Sequence, residues 1–182
     1  MVENLARGAA DLGLSLTGDQ IDRFVRYADL LAEWNRRMNL TRIPPEEVVP
    51  LHFLDSLAVC RAIDLHGVKR LMDVGTGAGF PGVPLKIAFP HLSLTLLDAT
   101  RKRLDFLEAV VSELSLESVV TVHARAEDAA RLPAHREAYD AVTGRAVARL
   151  NVLAELLLPF ARPGGAVIAL KSAASPAEVA EA

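Results

Sequence analysis

The period of the apolar positions changes once along the chain. Between Thr17 and Arg37, the residues Ile21, Phe24, Val25, Ala28, Leu31 and Ala32 recur every three or four positions, the spacing of a helix with one buried face. Thr17 followed three residues later by Gln20 is a capping box, which starts that helix. Pro44, Pro45 and Pro50 then punctuate a loop, and His52 to Ile63 reads as a second amphipathic helix carrying Phe53, Leu57 and Cys60. Residues 1–65 are therefore expected to be an all-helical extension packed on the remainder. From Leu71 the pattern becomes short apolar runs, Leu71–Val74, Leu92–Leu97, Val119–His123, Tyr139–Thr143 and Ala166–Lys171. Helical segments separate them: Val83–Ala88, Arg101–Leu114, Glu127–Leu132 and Leu150–Phe160. Five strands alternating with helices predict an α/β domain with a mainly parallel sheet over 66–182, with Pro90 turning into the second strand and Gly164-Gly165 into the fifth.

Composition narrows the class. Of 182 residues, 51% are apolar and 24% charged, enough to bury a core without disulfide staples. The net charge of -3 excludes a polycation that coats nucleic acid along its whole surface, so any such contact must be local. Cys60 is the single cysteine, which rules out an intramolecular disulfide and a cysteine-built metal centre; no metal site is expected. No apolar run reaches the ~18 residues needed to span a bilayer, so a cytoplasmic protein without membrane contact is expected.

The chemistry concentrates after the first strand, in Asp73-Val74-Gly75-Thr76-Gly77-Ala78-Gly79-Phe80-Pro81-Gly82. Glycines at such a turn let a ligand approach the backbone beside the positive end of the following helix. A dinucleotide fold prefers G-x-G-x-x-G, whereas Phe80 stands where the third glycine would be. The acidic-x-G-x-G-x-G spacing favours S-adenosylmethionine over NAD. Asp98 closes the second strand, where a carboxylate accepts both hydroxyl protons of an adenosine ribose. Ala124-Arg125-Ala126-Glu127-Asp128 follows the third strand, where adenine would lie, although Glu127 also fits a plain charge at a helix N-terminus.

A methyl donor leaves the nucleophile to be found. Pyrimidine-carbon methylation needs an attacking cysteine, and Cys60 lies on an apolar helical face where it reads as core. Exocyclic amines are commonly held by Asn or Asp before Pro-Pro-aromatic after the fourth strand, where this chain has Thr143-Gly144-Arg145-Ala146. Guanine N7 carries an in-plane lone pair and needs orientation without a general base, a reaction the sequence permits.

Met38-Asn39-Leu40-Thr41, His52-Phe53-Leu54-Asp55-Ser56-Leu57, the long glycine motif and Gly144-Arg145-Ala146 together resemble the RsmG family, also called GidB, over residues 20–172. The resemblance implies a class I, Rossmann-like S-adenosylmethionine-dependent methyltransferase acting on guanine N7 of 16S ribosomal RNA, with S-adenosyl-L-homocysteine as product. It implies that Gly75, Gly77, Gly79 and Phe80 line the cofactor pocket, that Asp98, Ala99 and Thr100 hold the ribose end, that Ala126 and Glu127 border adenine, and that Arg145 closes the site. It also implies that Asn39, His52, Asp55 and Ser56 face the methyl group and the guanine, with Asn39, His52, Asp55 and Arg145 as the catalytic set. His52 and Asp55, three apart, share a helical face, an arrangement that a solvated pair also satisfies; Arg145 also fits a simple partner for an acid.

Methyltransferase sheets of this class carry two further strands, and Ala182 falls in what reads as the start of the next helix. A C-terminally incomplete core with the fifth strand as an edge is therefore expected. RNA, naked or within the assembled or assembling 30S subunit, would be gripped by phosphate contacts and one flipped base, because the nine aromatics fall mostly in apolar stripes. Trp34 reads as core. Arg36, Arg37 and Arg42, Arg101 to Arg103, and Lys171 are candidate phosphate contacts, and the Arg101 cluster fits a solvated helix face equally well. A monomer is the expectation. A small-molecule methyltransferase and a non-catalytic cofactor- or RNA-binding module remain as alternatives.

Overall fold

The computed structural model describes residues 1–145 and 149–171. Ala146 and the expected helix beyond Lys171 lie outside the described residues. The chain opens on helix α1 (Val2–Asp11) and helix α2 (Gly18–Met38). The capping box starts α2: the Thr17 hydroxyl accepts from the Gln20 N–H at 3.2 Å, and the Gln20 side chain accepts from the Thr17 N–H at 2.8 Å. The Gln20 amide also donates to the Ile87 and Ala88 carbonyls, at 2.9 and 3.0 Å, and so ties the start of α2 to the sheet domain. The buried face is Phe24, Tyr27, Ala28, Leu30 and Leu31, rotated from the expected stripe; Ile21, Val25 and Ala32 lie at its margin, half-buried. α2 stops at Asn39, whose left-handed backbone (φ 50°) closes the helix.

The expected second helix, His52–Ile63, is corrected by the structure to a composite beginning earlier. A π-helical turn spans Val49–Leu54, followed by α3 (Asp55–Leu57) and a 3-10 turn, Ala58–Arg61. Pro50 belongs to the first turn, where helical N–H groups have no partner and its missing donor costs nothing.

The sheet is parallel throughout and ordered β3-β2-β1-β4-β5, with β1 (Arg70–Val74), β2 (Ser93–Asp98), β3 (Val119–His123), β4 (Tyr139–Arg145) and β5 (Ala161–Leu170). The intervening helices are α4 (Gly82–Ala88), α5 (Arg101–Glu113), α6 (Ala126–Ala129) and α7 (Leu150–Leu157). α6 is shorter than the expected Glu127–Leu132. β5 starts before the expected Ala166: Tyr139 pairs with Ala161 and Ala141 with Ala166, so the segment carrying Gly164-Gly165 bulges within the strand instead of preceding it. The order reverses across β1, which opens a crevice at the carboxyl ends of β1, β2 and β4, where α/β sheets bind ligands.

Alternation along the strands builds two cores. Leu71, Leu94 and Leu96 face a cluster shared with Leu5, Phe24, Tyr27, Leu31, Phe53 and Leu57 of the extension. Met72, Leu97 and Val142 face the other side, against Leu153, Leu157 and Phe160. Trp34 and Cys60 are half-buried against the first cluster, Trp34 tilted on Phe106 with centroids 5.6 Å apart. Among the described residues, no helix is long and apolar enough to cross a membrane.

Candidate active site

The turn after β1 is held at its base by a buried carboxylate. Asp73 Oδ2 accepts from the Thr76 hydroxyl at 2.6 Å and from the Gly82 N–H at 3.0 Å, while its Oδ1 accepts from the Thr143 hydroxyl of β4 at 3.1 Å. Burial raises its pKa to about 6, against the lowering pull of those hydrogen bonds and of Arg145. Gly75 and Thr76 donate to the Leu97 carbonyl, at 2.8 and 3.1 Å, which ties the turn to β2.

Gly77 and Gly79 have left-handed backbones for different reasons. At Gly77 (φ +60°) an added Cβ would meet only the Gly75 oxygen, at 3.9 Å, so the position opens onto free space. At Gly79 (φ +97°) a Cβ would lie 2.7 Å from the Tyr27 hydroxyl and 2.8 Å from both Leu107 and Val83. Tyr27 is itself fully buried on α2, stacks against Phe53, and donates to the Ala78 carbonyl. The helical extension is thereby bolted to the glycine turn.

These elements enclose a hollow of about 520 Å³. Gly75, Gly77, Phe80, Asp98, Ala99, Thr100, Ala126, Glu127 and Arg145 all line it, together with His52. Gly79 does not, being turned toward α2. Asp98 is buried at the hollow's edge, accepting from the Gly77 N–H at 2.9 Å and the Thr100 N–H at 2.8 Å, with Arg103 at 3.4 Å. Glu127 is drawn below its ordinary carboxylate range by its own backbone N–H and by Arg125.

On the opposite wall, His52 is 5% exposed and stacks on Phe80, with centroids 4.1 Å apart and planes 6° from parallel. Arg145 Nη2 donates to His52 Nδ1 at 2.9 Å. A guanidinium has only protons to give, so Nδ1 is the acceptor and the ring proton sits on Nε2, which donates to the Thr41 hydroxyl at 2.8 Å. Burial and then Arg145 lower the His52 pKa to about 4, so the ring is neutral at pH 7. Arg145 also reaches Asp55 Oδ2 at 3.1 Å and the Leu51 carbonyl at 3.4 Å, and lies over the Phe80 ring at 4.9 Å.

The remaining expected positions fall elsewhere. Asn39 is exposed and spends its backbone on capping α2, and its neighbours Leu40 and Thr41 line the hollow in its place. Ser56 is buried with its hydroxyl donating to the His52 carbonyl at 2.6 Å. Asp55 opens onto an adjacent groove. Arg101 is taken up by Asp105 and Glu108 on its own helix, at 2.8 and 3.0 Å, the arrangement of a solvated helix face. Arg36, Arg37 and Arg42 are exposed, the first two in the last turn of α2. Sequence reasoning missed Thr41, Asp73 and Tyr27. Asp73 was signalled as the acid that opens the glycine motif and Thr41 as the hydroxyl ending Met38-Asn39-Leu40-Thr41; nothing distinguished Tyr27 from its apolar neighbours. Among the described residues, no cluster of His, Cys, Asp and Glu could hold a metal ion.

A family model described as GidB, rRNA small subunit methyltransferase G, matches residues 20–182. The chain belongs to the GidB family. A relative from Desulfitobacterium hafniense named ribosomal RNA small subunit methyltransferase G is 54% identical over 93% of this chain and 70% of its own length. One of the same name from Caldanaerobacter subterraneus is 46% identical over 93% and 72%. Among solved structures, a putative O-methyltransferase from Klebsiella pneumoniae superposes on this GidB chain with a TM-score of 0.58 at 15% identity, covering 85% of this chain and 73% of that one. A putative caffeoyl-CoA O-methyltransferase from Staphylococcus aureus gives 0.58 at 15%, covering 78% and 65%. The fold is that of the class I S-adenosylmethionine-dependent methyltransferases.

Proposed function

We propose that this chain transfers a methyl group from S-adenosyl-L-methionine to N7 of a guanine in 16S ribosomal RNA, leaving S-adenosyl-L-homocysteine. The observation that carries the reading is one hollow with two dissimilar walls. The glycine turn and Asp98 form one, and neutral His52 with Arg145 forms the other. The residues fit the cofactor: Gly77 leaves open the space that a side chain would fill, and Asp98 is a buried carboxylate with lone pairs to spare for ribose hydroxyls. Gly75, Gly77, Phe80, Asp98, Ala99, Thr100, Ala126 and Glu127 would hold it. When bound, the cofactor supplies an electrophilic methyl group on a sulfonium.

The chain's own residues then have one main task, orientation. Guanine N7 attacks with an in-plane lone pair, so no side chain must take a proton from it. That demand suits a wall whose histidine is already neutral and held in one tautomer by Arg145 and Thr41. His52 and Arg145 present a flat, fixed surface with Phe80 beneath both. In this reading the helical extension, residues 1–65, contributes His52 and Asp55, and the core, 66–182, contributes the cofactor residues and Arg145. The name shared by the relatives motivates the RNA substrate, and the exposed Arg36, Arg37 and Arg42, flanking the Leu40 and Thr41 that line the hollow, suit phosphate contacts. The test is incubation with labelled donor and small-subunit RNA, naked and within the 30S particle, followed by mapping of the modified base. Label at guanine N7 is expected; label confined to small molecules, or none at all, would overturn the proposal.

A further inference from the structure

Beside the cofactor hollow lies a second one of about 940 Å³, between the helical run 49–61 and the end of β5. His52 and Arg145 line both hollows, whereas Asp55 lines only the outer one. Passing outward, the wall therefore offers Arg145 first and Asp55 second. Their charged ends lie 3.1 Å apart, with 18% of the Arg145 side chain and 51% of the Asp55 side chain exposed. Three of the five guanidinium N–H groups go to Asp55, Leu51 and His52, and stacking on Phe80 fixes the plane. The other two N–H groups and Asp55 Oδ1 have no partner among the described residues.

Guanine carries its polar atoms in a fixed sequence. Moving round the ring from N7 come O6, an acceptor, and then N1–H and the N2 amine, both donors. With N7 toward the cofactor hollow, O6 faces Arg145, which can only donate, and the N1 and N2 protons face Asp55, which can only accept. Adenine reverses both positions: its N6 amine would meet the guanidinium, and its bare N1 would meet the carboxylate. The outer hollow is roomy enough for a base drawn out of its stack, and Pro50, Leu51, Ile168 and Leu170 give it apolar sides.

We propose that Arg145 and Asp55 select guanine, Arg145 donating to O6 and Asp55 accepting from N1–H and N2–H. They are specificity-determining residues for the proposed transfer, and the assignment rests on that reading of the site. Arg145 is held by His52 and Phe80 before any base arrives, so the donor is already placed. Asp55, half-exposed on a short helix, supplies the acceptor.

The experiment uses small ribosomal subunits from cells lacking this gene. Once the modified nucleotide is mapped, subunits are rebuilt with guanine, inosine or 2-aminopurine at that position. Inosine keeps O6 and N1–H; 2-aminopurine retains N7 and the N2 amine but lacks both. The wild-type protein is expected to methylate inosine within about tenfold of guanine, and 2-aminopurine at least about a hundredfold more slowly. Asp55→Ala is expected to slow guanine about ten- to a hundredfold and to shrink the preference for guanine over 2-aminopurine by a similar factor. Its affinity for S-adenosylmethionine, by calorimetry, should stay within about twofold of wild type because Asp55 does not line the cofactor hollow. If Asp55→Ala slows both bases equally and leaves the preference intact, the assignment is overturned while the methyltransferase reading stands. Wild-type protein that labels no guanine in the mapping step brings down that reading, and this assignment with it.

Discussion

Alanine at Gly77 and at Gly79 should produce opposite failures. Both backbones are left-handed, so each substitution pays about 1–2 kcal/mol in strain. At Gly77 that is nearly the whole stability cost, because the new methyl meets no protein atom nearer than 3.9 Å. The methyl instead enters the hollow beside Asp98, where the ligand must approach the backbone. At Gly79 the methyl collides with Tyr27, Leu107 and Val83 at 2.7–2.8 Å. All three are fully buried, so overpacking adds about 1–3 kcal/mol. The expected totals are losses of about 1–2 kcal/mol for Gly77→Ala and about 2–5 kcal/mol for Gly79→Ala, read from urea unfolding. Titration with S-adenosylhomocysteine should give the reverse ranking, with Gly77→Ala at least about tenfold weaker and Gly79→Ala, below its unfolding transition, less affected. Equal stability losses, or full affinity in Gly77→Ala, would refute the division of labour between the two glycines.

Asp98→Ala should weaken S-adenosylmethionine by about 1.5–3 kcal/mol, the range for hydrogen bonds to a charged group; calorimetry that finds no change removes Asp98 from the ribose. The His52 pKa lies lower in the folded protein, about 4 against 6.5 for the free side chain, so its contribution to stability is present above pH 6.5 and is lost as pH falls toward 4. The stability difference between wild type and His52→Gln should therefore shrink by up to about 3 kcal/mol over that window, and a pH-independent difference would contradict the buried neutral ring. Asp73 acts in the opposite sense. Its pKa is raised from 3.8 to about 6, so stability is lost as pH rises between those values; Asp73→Asn should remove that slope in the same unfolding series. Methyl transfer to subunit RNA should fall steeply as salt is raised, whereas a flat response would point to a neutral small substrate.

Much of this architecture was legible because the apolar period changes from helical spacing to short runs near Leu71, and because Thr17 and Gln20 mark a helix start that local chemistry alone determines. The glycine turn was legible because its spacing encodes close backbone approach. The single helix expected over His52–Ile63 is instead a run over 49–61 in which π, α and 3-10 turns follow one another, and a single 3.6-residue period describes none of the joins. The start of β5 was hidden by a bulge carrying Gly164-Gly165, which has the composition of a turn. Asn39 was expected at the site from the family resemblance alone, and its left-handed backbone caps α2, a place that favours the same residue type. The meeting of Arg145 with His52 and Asp55 crosses some ninety positions of chain and depends on how the extension docks, which no local pattern encodes.

The proposed function requires one hollow at the end of β1 to hold the adenosyl donor with its methyl side toward His52 and Arg145. A crystal structure of the protein with S-adenosylhomocysteine tests it most directly. Ribose hydroxyls on Asp98, and the sulfur between the glycine turn and the Phe80–Arg145 wall, are predicted; ligand bound elsewhere, or side chains filling the hollow, would contradict that placement.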